Sequence, residues 1–327
     1  MKRLTSILLL TLSLFSCANL SGAGKGTGQG GEKAGGESKQ AVPPSPPSVT
    51  GEVKLVFEKT FGDEARIFSP WGISFGVDGT LYVCDRDRSS VVRLDEDGGS
   101  ITRFSGFGAR VERLYTPIDV CSSAGMAIYA LDAANSRVLR FDRNLKNSFV
   151  IYKRDQSKNR LFGSFNGLAF DKTSGDLFVT DRDTGSLIRI DMLGKTITSR
   201  GAFGSTKESF RLPAGLDVAD NGAVIVADKG AGAVAILDHF GARIRYVGGN
   251  VLETPLDVAA LPNGRLAVAD RSGIVILSGE GTALGAAGYG EDRTMSPRSV
   301  AYREGRLYVS DGDSGSILVY TITSPGR

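Results

Sequence analysis

The chain has 327 residues, with 39 Lys+Arg against 36 Asp+Glu, one histidine and three cysteines. That near balance lacks the basic excess that phosphate-backbone contacts need, so no nucleic-acid partner is expected. The single histidine, His239, excludes multi-histidine metal sites and falls in a surface turn, and three cysteines build neither a four-cysteine zinc site nor a disulfide framework.

Met1-Lys2-Arg3 is a basic start, and the 12 residues 4–15 are Leu, Ile, Phe, Ser and Thr. This stretch is too short for a permanent membrane helix, which needs about 20 residues. It has the pattern of a secretory signal. It ends in Leu14-Phe15-Ser16-Cys17, which resembles the lipobox of bacterial lipoproteins. The resemblance implies cleavage after Ser16, a diacylglyceryl group on the Cys17 thiol and acylation of its new amine. Three acyl chains anchor far more firmly than one. Ala18 at the next position, where an aspartate would signal otherwise, implies the outer membrane, on its periplasmic side or at the surface. The residues alone also fit an ordinary signal peptide with an incidental cysteine.

Eight of the 43 glycines fall in residues 22–36, and Pro43-Pro44-Ser45-Pro46-Pro47 follows. Such a segment has too little apolar surface to offset its ordering entropy. Residues 17–50 are therefore predicted to be a tether, flexible first and then stiff, with a coil of about 30 residues spanning roughly 30 Å.

From residue 51 one pattern recurs six times. Pro70-Trp71-Gly72-Ile73 leads to Leu81-Tyr82-Val83-Cys84-Asp85, and Pro117-Ile118-Asp119-Val120 leads to Ile128-Tyr129-Ala130-Leu131-Asp132. The later copies close on Asp181, Asp228, Asp270 and Asp311, at spacings of 47, 49, 47, 42 and 41 residues. Turn dipeptides such as Asp78-Gly79, Asn221-Gly222 and Asn263-Gly264 join the first two strands of a copy. The second strands are apolar on both faces, so both faces must be covered. One short sheet cannot cover itself, whereas six packed around an axis can. The predicted fold is all-β, a six-bladed β-propeller over residues 51–327. The last copy has only three strands, so residues 53–61 are expected to supply its outer strand and close the ring.

The Pro-x-Gly/Asp-Ile/Val start, the Leu-Tyr-Val-x-Asp strand and Arg137-Val138-Leu139-Arg140-Phe141-Asp142 resemble the NHL repeat. Inter-repeat pairs Phe61-Gly62, Phe107-Gly108 and Phe203-Gly204 fit it too. The resemblance spans all six copies and implies architecture, but not function, because such propellers serve as enzymes, scaffolds and binding domains.

Two sets of positions are expected at one end of the channel. The first holds Trp71, Ile118, Asn166, Ala214, Leu256 and Arg298. Phe165-Asn166-Gly167-Leu168 resembles the asparagine-bearing strand of calcium-dependent lactonases of the gluconolactonase type. That family's aspartate is replaced here by Ala214, and Trp71 stands where a glutamate would help. Calcium wants six to eight oxygens, so no metal and no other cofactor is expected beyond the lipid on Cys17. The second set is the closing aspartates, Asp85, Asp132, Asp181, Asp228, Asp270 and Asp311, expected to cap the turns that follow them. Arg86, Arg182, Lys229 and Arg271 come directly after four of these. With Arg88 and Arg298 they form either a cationic rim for an anionic polymer or acidic partner, or local Asp–Arg pairs. Cys84 and Cys121 read as buried thiols, with a disulfide open to them in an oxidising compartment.

The expectation from sequence is a monomeric, lipid-anchored, non-enzymatic propeller that binds a protein or polymer partner in the cell envelope. A lactonase-type hydrolase and an envelope assembly scaffold are the alternatives.

Overall fold

The structure is a computed structural model that describes residues 46–62, 65–105, 113–125, 127–154, 164–201, 209–271, 273–288 and 295–324. The signal segment, Cys17, most of the tether, and the Phe107-Gly108 and Phe203-Gly204 pairs lie outside these residues. No helix among the described residues is long and apolar enough to cross a membrane.

The described residues form a six-bladed β-propeller of six four-stranded antiparallel sheets. The first strand of the chain is β1 (Lys54–Phe61). Blade 1 follows, with β2 (Pro70–Phe75), β3 (Leu81–Asp85), β4 (Ser90–Leu94) and β5 (Ser100–Ser105). Blade 2 holds β6 (Pro117–Ser122), β7 (Ala127–Asp132), β8 (Arg137–Asp142) and β9 (Ser148–Lys153). Blade 3 holds β10 (Phe165–Phe170), β11 (Leu177–Asp181), β12 (Ser186–Ile190) and β13 (Thr196–Arg200). Blade 4 holds β14 (Pro213–Val218), β15 (Val224–Asp228), β16 (Ala233–Leu237) and β17 (Arg243–Val247). Blade 5 holds β18 (Asp257–Ala260), β19 (Leu266–Asp270), β20 (Gly273–Leu277) and β21 (Ala283–Ala287). Blade 6 holds β22 (Pro297–Arg303), β23 (Arg306–Asp311) and β24 (Ser316–Thr323).

Blade 6 lacks a fourth strand of its own, and β1 supplies it. The pairing runs from Lys54 opposite Thr323 to Phe61 opposite Ile317. The segment ahead of β1 also reaches back to blade 5, where Thr50 N and Val53 N donate to the carbonyls of Ala283 and Leu284. Gly285 makes that approach feasible, because a Cβ there would overlap the Val53 carbonyl. The ring is thus closed by residues at both ends of the body, and no outer edge of blade 6 is left unpaired.

The second strand of each blade carries the core. β3, β11, β15 and β19 are buried at every position. Branched and aromatic side chains there face a neighbouring blade on each side, so no polar face is needed. The outer strands read differently: β13 is TITSR and β17 is RIRYV, both largely exposed. The hairpin turns between first and second strands adopt the positive φ that their glycines allow, with φ 85° at Gly79, 80° at Gly222 and 83° at Gly305.

A second turn, between third and fourth strands, ties each blade to the one before. In blade 3, Asp191 Oδ1 accepts from Leu193 N and Lys195 N, and a Cβ on Gly194 would overlap the Ile151 carbonyl oxygen of blade 2. Asp95, Asp142 and Asp238 organise the same turn in blades 1, 2 and 4.

Candidate functional site

The first strands of all six blades line an axial cavity of about 510 Å³. It continues to the first-to-second-strand turns at Lys172, Asp220, Asn221 and Asn263. Within it stand three carboxyls. Asp119 sits on β6, Asp217 on β14 and Asp257 on β18. Each grips its own strand or the next blade through backbone amides. Asp119 accepts from Val120 N and, across the blade boundary, from Leu168 N at 2.6 Å. Asp217 accepts from Val218 N and from Ala260 N of blade 5. Asp257 accepts from Val300 N of blade 6, and in blade 6 the Ser299 hydroxyl takes the same part toward Ile73 N of blade 1.

Burial pushes all three carboxyls up from the ordinary range, Asp257 to about 7. Asp119 is raised well above its usual value by burial and then by the Asp257 charge. These two come from blades 2 and 5, on opposite sides of the ring, so one carboxyl facing another discourages double ionisation. The cavity is therefore a place that holds protons near neutral pH. Among the described residues no group of three or more His, Cys, Asp or Glu is arranged to hold a metal ion. The pattern signalled these aspartates, since Asp119 and Asp257 replace the glycine that Gly72, Gly167 and Gly215 provide in other blades. The sequence reading treated both as repeat furniture and missed Asp217.

The other end of the channel is the mouth, where the first strands begin. Here the register slips between first and second strands at Pro70/Ile73, Pro117/Asp119, Phe165/Gly167, Pro213/Leu216 and Pro297/Ser299. Trp71, Ile118, Asn166, Ala214 and Arg298 sit in these bulges, features that re-aim side chains at sheet ends. None of the five lines the axial cavity. Ile118 and Ala214 are buried in apolar clusters, while Trp71, Asn166, Leu256 and Arg298 stay half-buried. The buried methyl of Ala214 offers calcium nothing, so the lactonase donor set does not fit this mouth.

The predicted cations do not form an even rim. The Arg86 and Arg298 guanidiniums both approach the Trp71 ring, at 4.7 and 5.4 Å from its centroid. Arg88 lies 3.9 Å over Phe68 on the same side of the ring. Arg182 instead pairs with Asp183 at 3.5 Å, and Lys229 and Arg271 are exposed on other blades. Positive charge is concentrated where blade 6 meets blade 1.

The closing aspartates are nearly all fully buried, and their geometry differs from the expected one. Instead of capping only the turn that follows, they hold the loop leading into the first strand. Asp85 accepts from Phe68 N and Ser69 N, Asp132 from Tyr115 N and Thr116 N, and Asp228 from Arg211 N and Leu212 N. Asp270 accepts from Glu253 N and Thr254 N, and Asp311 from Ser296 N. Asp181 caps its following turn at Asp183 N and Thr184 N, while Asp183 reaches back to Ser164 N. Arg103, Arg137 and Arg154 add ion pairs to Asp85, Asp132 and Asp181, and the Tyr246 hydroxyl donates to Asp228. The partner of each aspartate lies far along the chain, out of reach of a local turn rule.

Cys84 and Cys121 are buried thiols with no disulfide, and burial raises both well above the usual thiol range. His239 is exposed in its turn, its ring 3.7 Å from that of Phe240.

No protein-family model matches the chain, and no curated protein matches it in sequence. Solved structures do. A virginiamycin B lyase from Staphylococcus aureus is similar at TM-score 0.59 and 10% identity, over 83% of this chain and 99% of that one. A gluconolactonase from Xanthomonas campestris is similar at TM-score 0.60 and 16% identity, over 86% and 99%. An aldose sugar dehydrogenase from Streptomyces coelicolor, solved with PQQ bound, is similar at TM-score 0.54 and 17% identity, over 86% and 100%. These likenesses show the fold. They also overturn the expectation that the propeller is not an enzyme, because these structural neighbours are enzymes, and at such identities no particular activity transfers.

Proposed function

We propose that this chain is an extracytoplasmic lipoprotein of the bacterial envelope, anchored through Cys17, whose NHL-like propeller binds a partner at its channel mouth. The observation that carries the reading is the pair Arg86 and Arg298 on one indole, Trp71, at the meeting of blades 6 and 1. Aromatic and arginine side chains gathered in one partly desolvated place are the composition of binding hot spots. The tether of residues 17–50 supports the anchor, since it separates the folded body from the lipid by the length of a flexible coil.

Photocrosslinking in intact cells tests the face. A crosslinker at residue 86 is expected to capture an envelope partner, while one at residue 304, on a turn at the opposite end of the channel, is not. Equal capture from both positions refutes the mouth as the binding face. Cys17→Ser is expected to move the protein out of the membrane fraction, and an unchanged membrane pool refutes the anchor.

A lactone-opening activity is the second reading. Asn166 on β10 and the gluconolactonase-like fold favour it. Lactone hydrolysis lost on Asn166→Ala supports it, and hydrolysis unaffected by that change removes Asn166 from the chemistry.

A further inference from the structure

Arg298 is held in an unusual way. Its Nε is buried and has no hydrogen-bond partner. The guanidinium lies over Gly312, where a Cβ would stand 2.5 Å from Nε, 3.1 Å from Nη2 and 3.2 Å from Cζ. Gly312 follows Asp311, at the position that holds Arg86, Arg182, Lys229 and Arg271 in four other blades. Only a residue without a side chain leaves that space, so blade 6 gives up its own rim side chain to seat Arg298. The same guanidinium faces Trp71 of blade 1, and Arg86 approaches that ring as well. Among the described residues neither arginine has a carboxylate partner, although Asp87 is adjacent in sequence and exposed.

Two cations gathered at one ring repel each other. The ring quadrupole offsets part of this. A multiply charged oxyanion between the guanidiniums removes it, because planar guanidinium edges pair bidentately with its oxygens. We infer that the mouth is a binding site for a phosphate monoester, received by Arg86 and Arg298 beside Trp71. The inference rests on the reading of the mouth as the binding face and names the chemistry it recognises. A phosphate monoester carries about −1.5 to −2 charges at neutral pH and so matches two guanidiniums. A lone carboxylate carries one.

Trp71 is the single tryptophan of the chain, so its fluorescence reports on this site alone. The experiment titrates the full-length protein, in a nonionic detergent at constant ionic strength, with glycerol phosphate, inorganic phosphate, acetate and chloride. Saturable changes in Trp71 emission are expected with the first two and not with acetate or chloride. Arg86→Met and Arg298→Met are each expected to weaken the response at least about tenfold, the worth of a charge-assisted hydrogen bond. Arg182→Met is expected to leave it unchanged. If Arg298→Met does not fold, Arg298→Lys keeps the charge without the planar edge and is expected to weaken binding by the same order. Equal responses to acetate and phosphate, a response that never saturates, or full binding in Arg86→Met overturns the inference. Capture from residue 86 in cells without any phosphate response overturns the ligand class and leaves the binding face standing. Loss of both overturns the two together.

Discussion

The Asp257 carboxylate occupies the space in which a side chain on Gly215, one blade earlier, would stand. The same relation holds between Asp119 and Gly72, so carboxyl and glycine face each other across two blade boundaries around the axis. Gly215→Ala is expected to destabilise the fold by ~1–3 kcal/mol, the usual range for forcing a group into a packed interior. Urea unfolding checks it. The paired change Gly215→Ala with Asp257→Ala is expected to cost less than the two single costs together, because the clash is removed.

The channel carboxyls give stability a pH dependence of definite sign. Asp257 is raised from 3.8 to about 7 by burial, so the folded state holds its proton more tightly than the unfolded chain does. The stabilisation is complete below about pH 4 and is lost as pH rises through 7, with a slope of up to about 1.4 kcal/mol per pH unit. Asp142 and Asp171 lie below their usual values, held there by backbone and side-chain hydrogen bonds against burial, and they oppose this trend only at acid pH. Asp257→Asn is expected to flatten the stability profile between pH 5 and about 7. Thermal midpoints measured across that window decide it, and an unchanged slope refutes the assignment.

Asp132 is fully buried and bonded to Tyr115 N, Thr116 N and Arg137. Removing it leaves a nearly buried guanidinium and two amides without their acceptor. Asp132→Ala is expected to cost about 3–5 kcal/mol, the range for breaking a buried pair from one side. The comparison with Asp95→Ala, in an exposed turn, is expected to show a much smaller loss in the same denaturant titration.

The two thiols are shielded. Cys84 and Cys121 are buried in the packing between blades 1, 2 and 3, and both are kept protonated by burial. Neither is expected to react with a maleimide in the native protein, and both are expected to react once urea unfolds it. Mass measurement reads the labels directly, and rapid native labelling refutes the burial.

The architecture was legible because a propeller writes its period into the sequence. Five-residue apolar strands ending in Asp, repeated at 41 to 49 residues, leave few folds that cover both strand faces. Even the closing strand was readable, since residues 53–61 look like the outer strands of later blades and the last copy lacks one. The site was harder. The pairing of Asp85 with Phe68 N and Ser69 N, or of Arg298 with Trp71, joins residues distant in sequence, and only closure of the ring brings blade 6 beside blade 1. Asp119 and Asp257 were visible as departures from glycine, yet nothing local says that they face one cavity. The rim cations were visible too, but Arg182 turns to Asp183 while Arg86 turns to an indole, a choice made by the blade next door.

The clasp formed by β1 and β24 has a mechanical consequence. Any pull applied ahead of residue 54 is delivered first to β1, the one strand whose release opens the ring. Phe61 at its far end packs in the cluster that also holds Ile73 and Ile317, so the load enters at the meeting of blades 6 and 1. Trp71, Arg86 and Arg298 straddle that same meeting. Tension on the leash and occupancy of the mouth therefore act on a single joint, and strain in one is felt by the other.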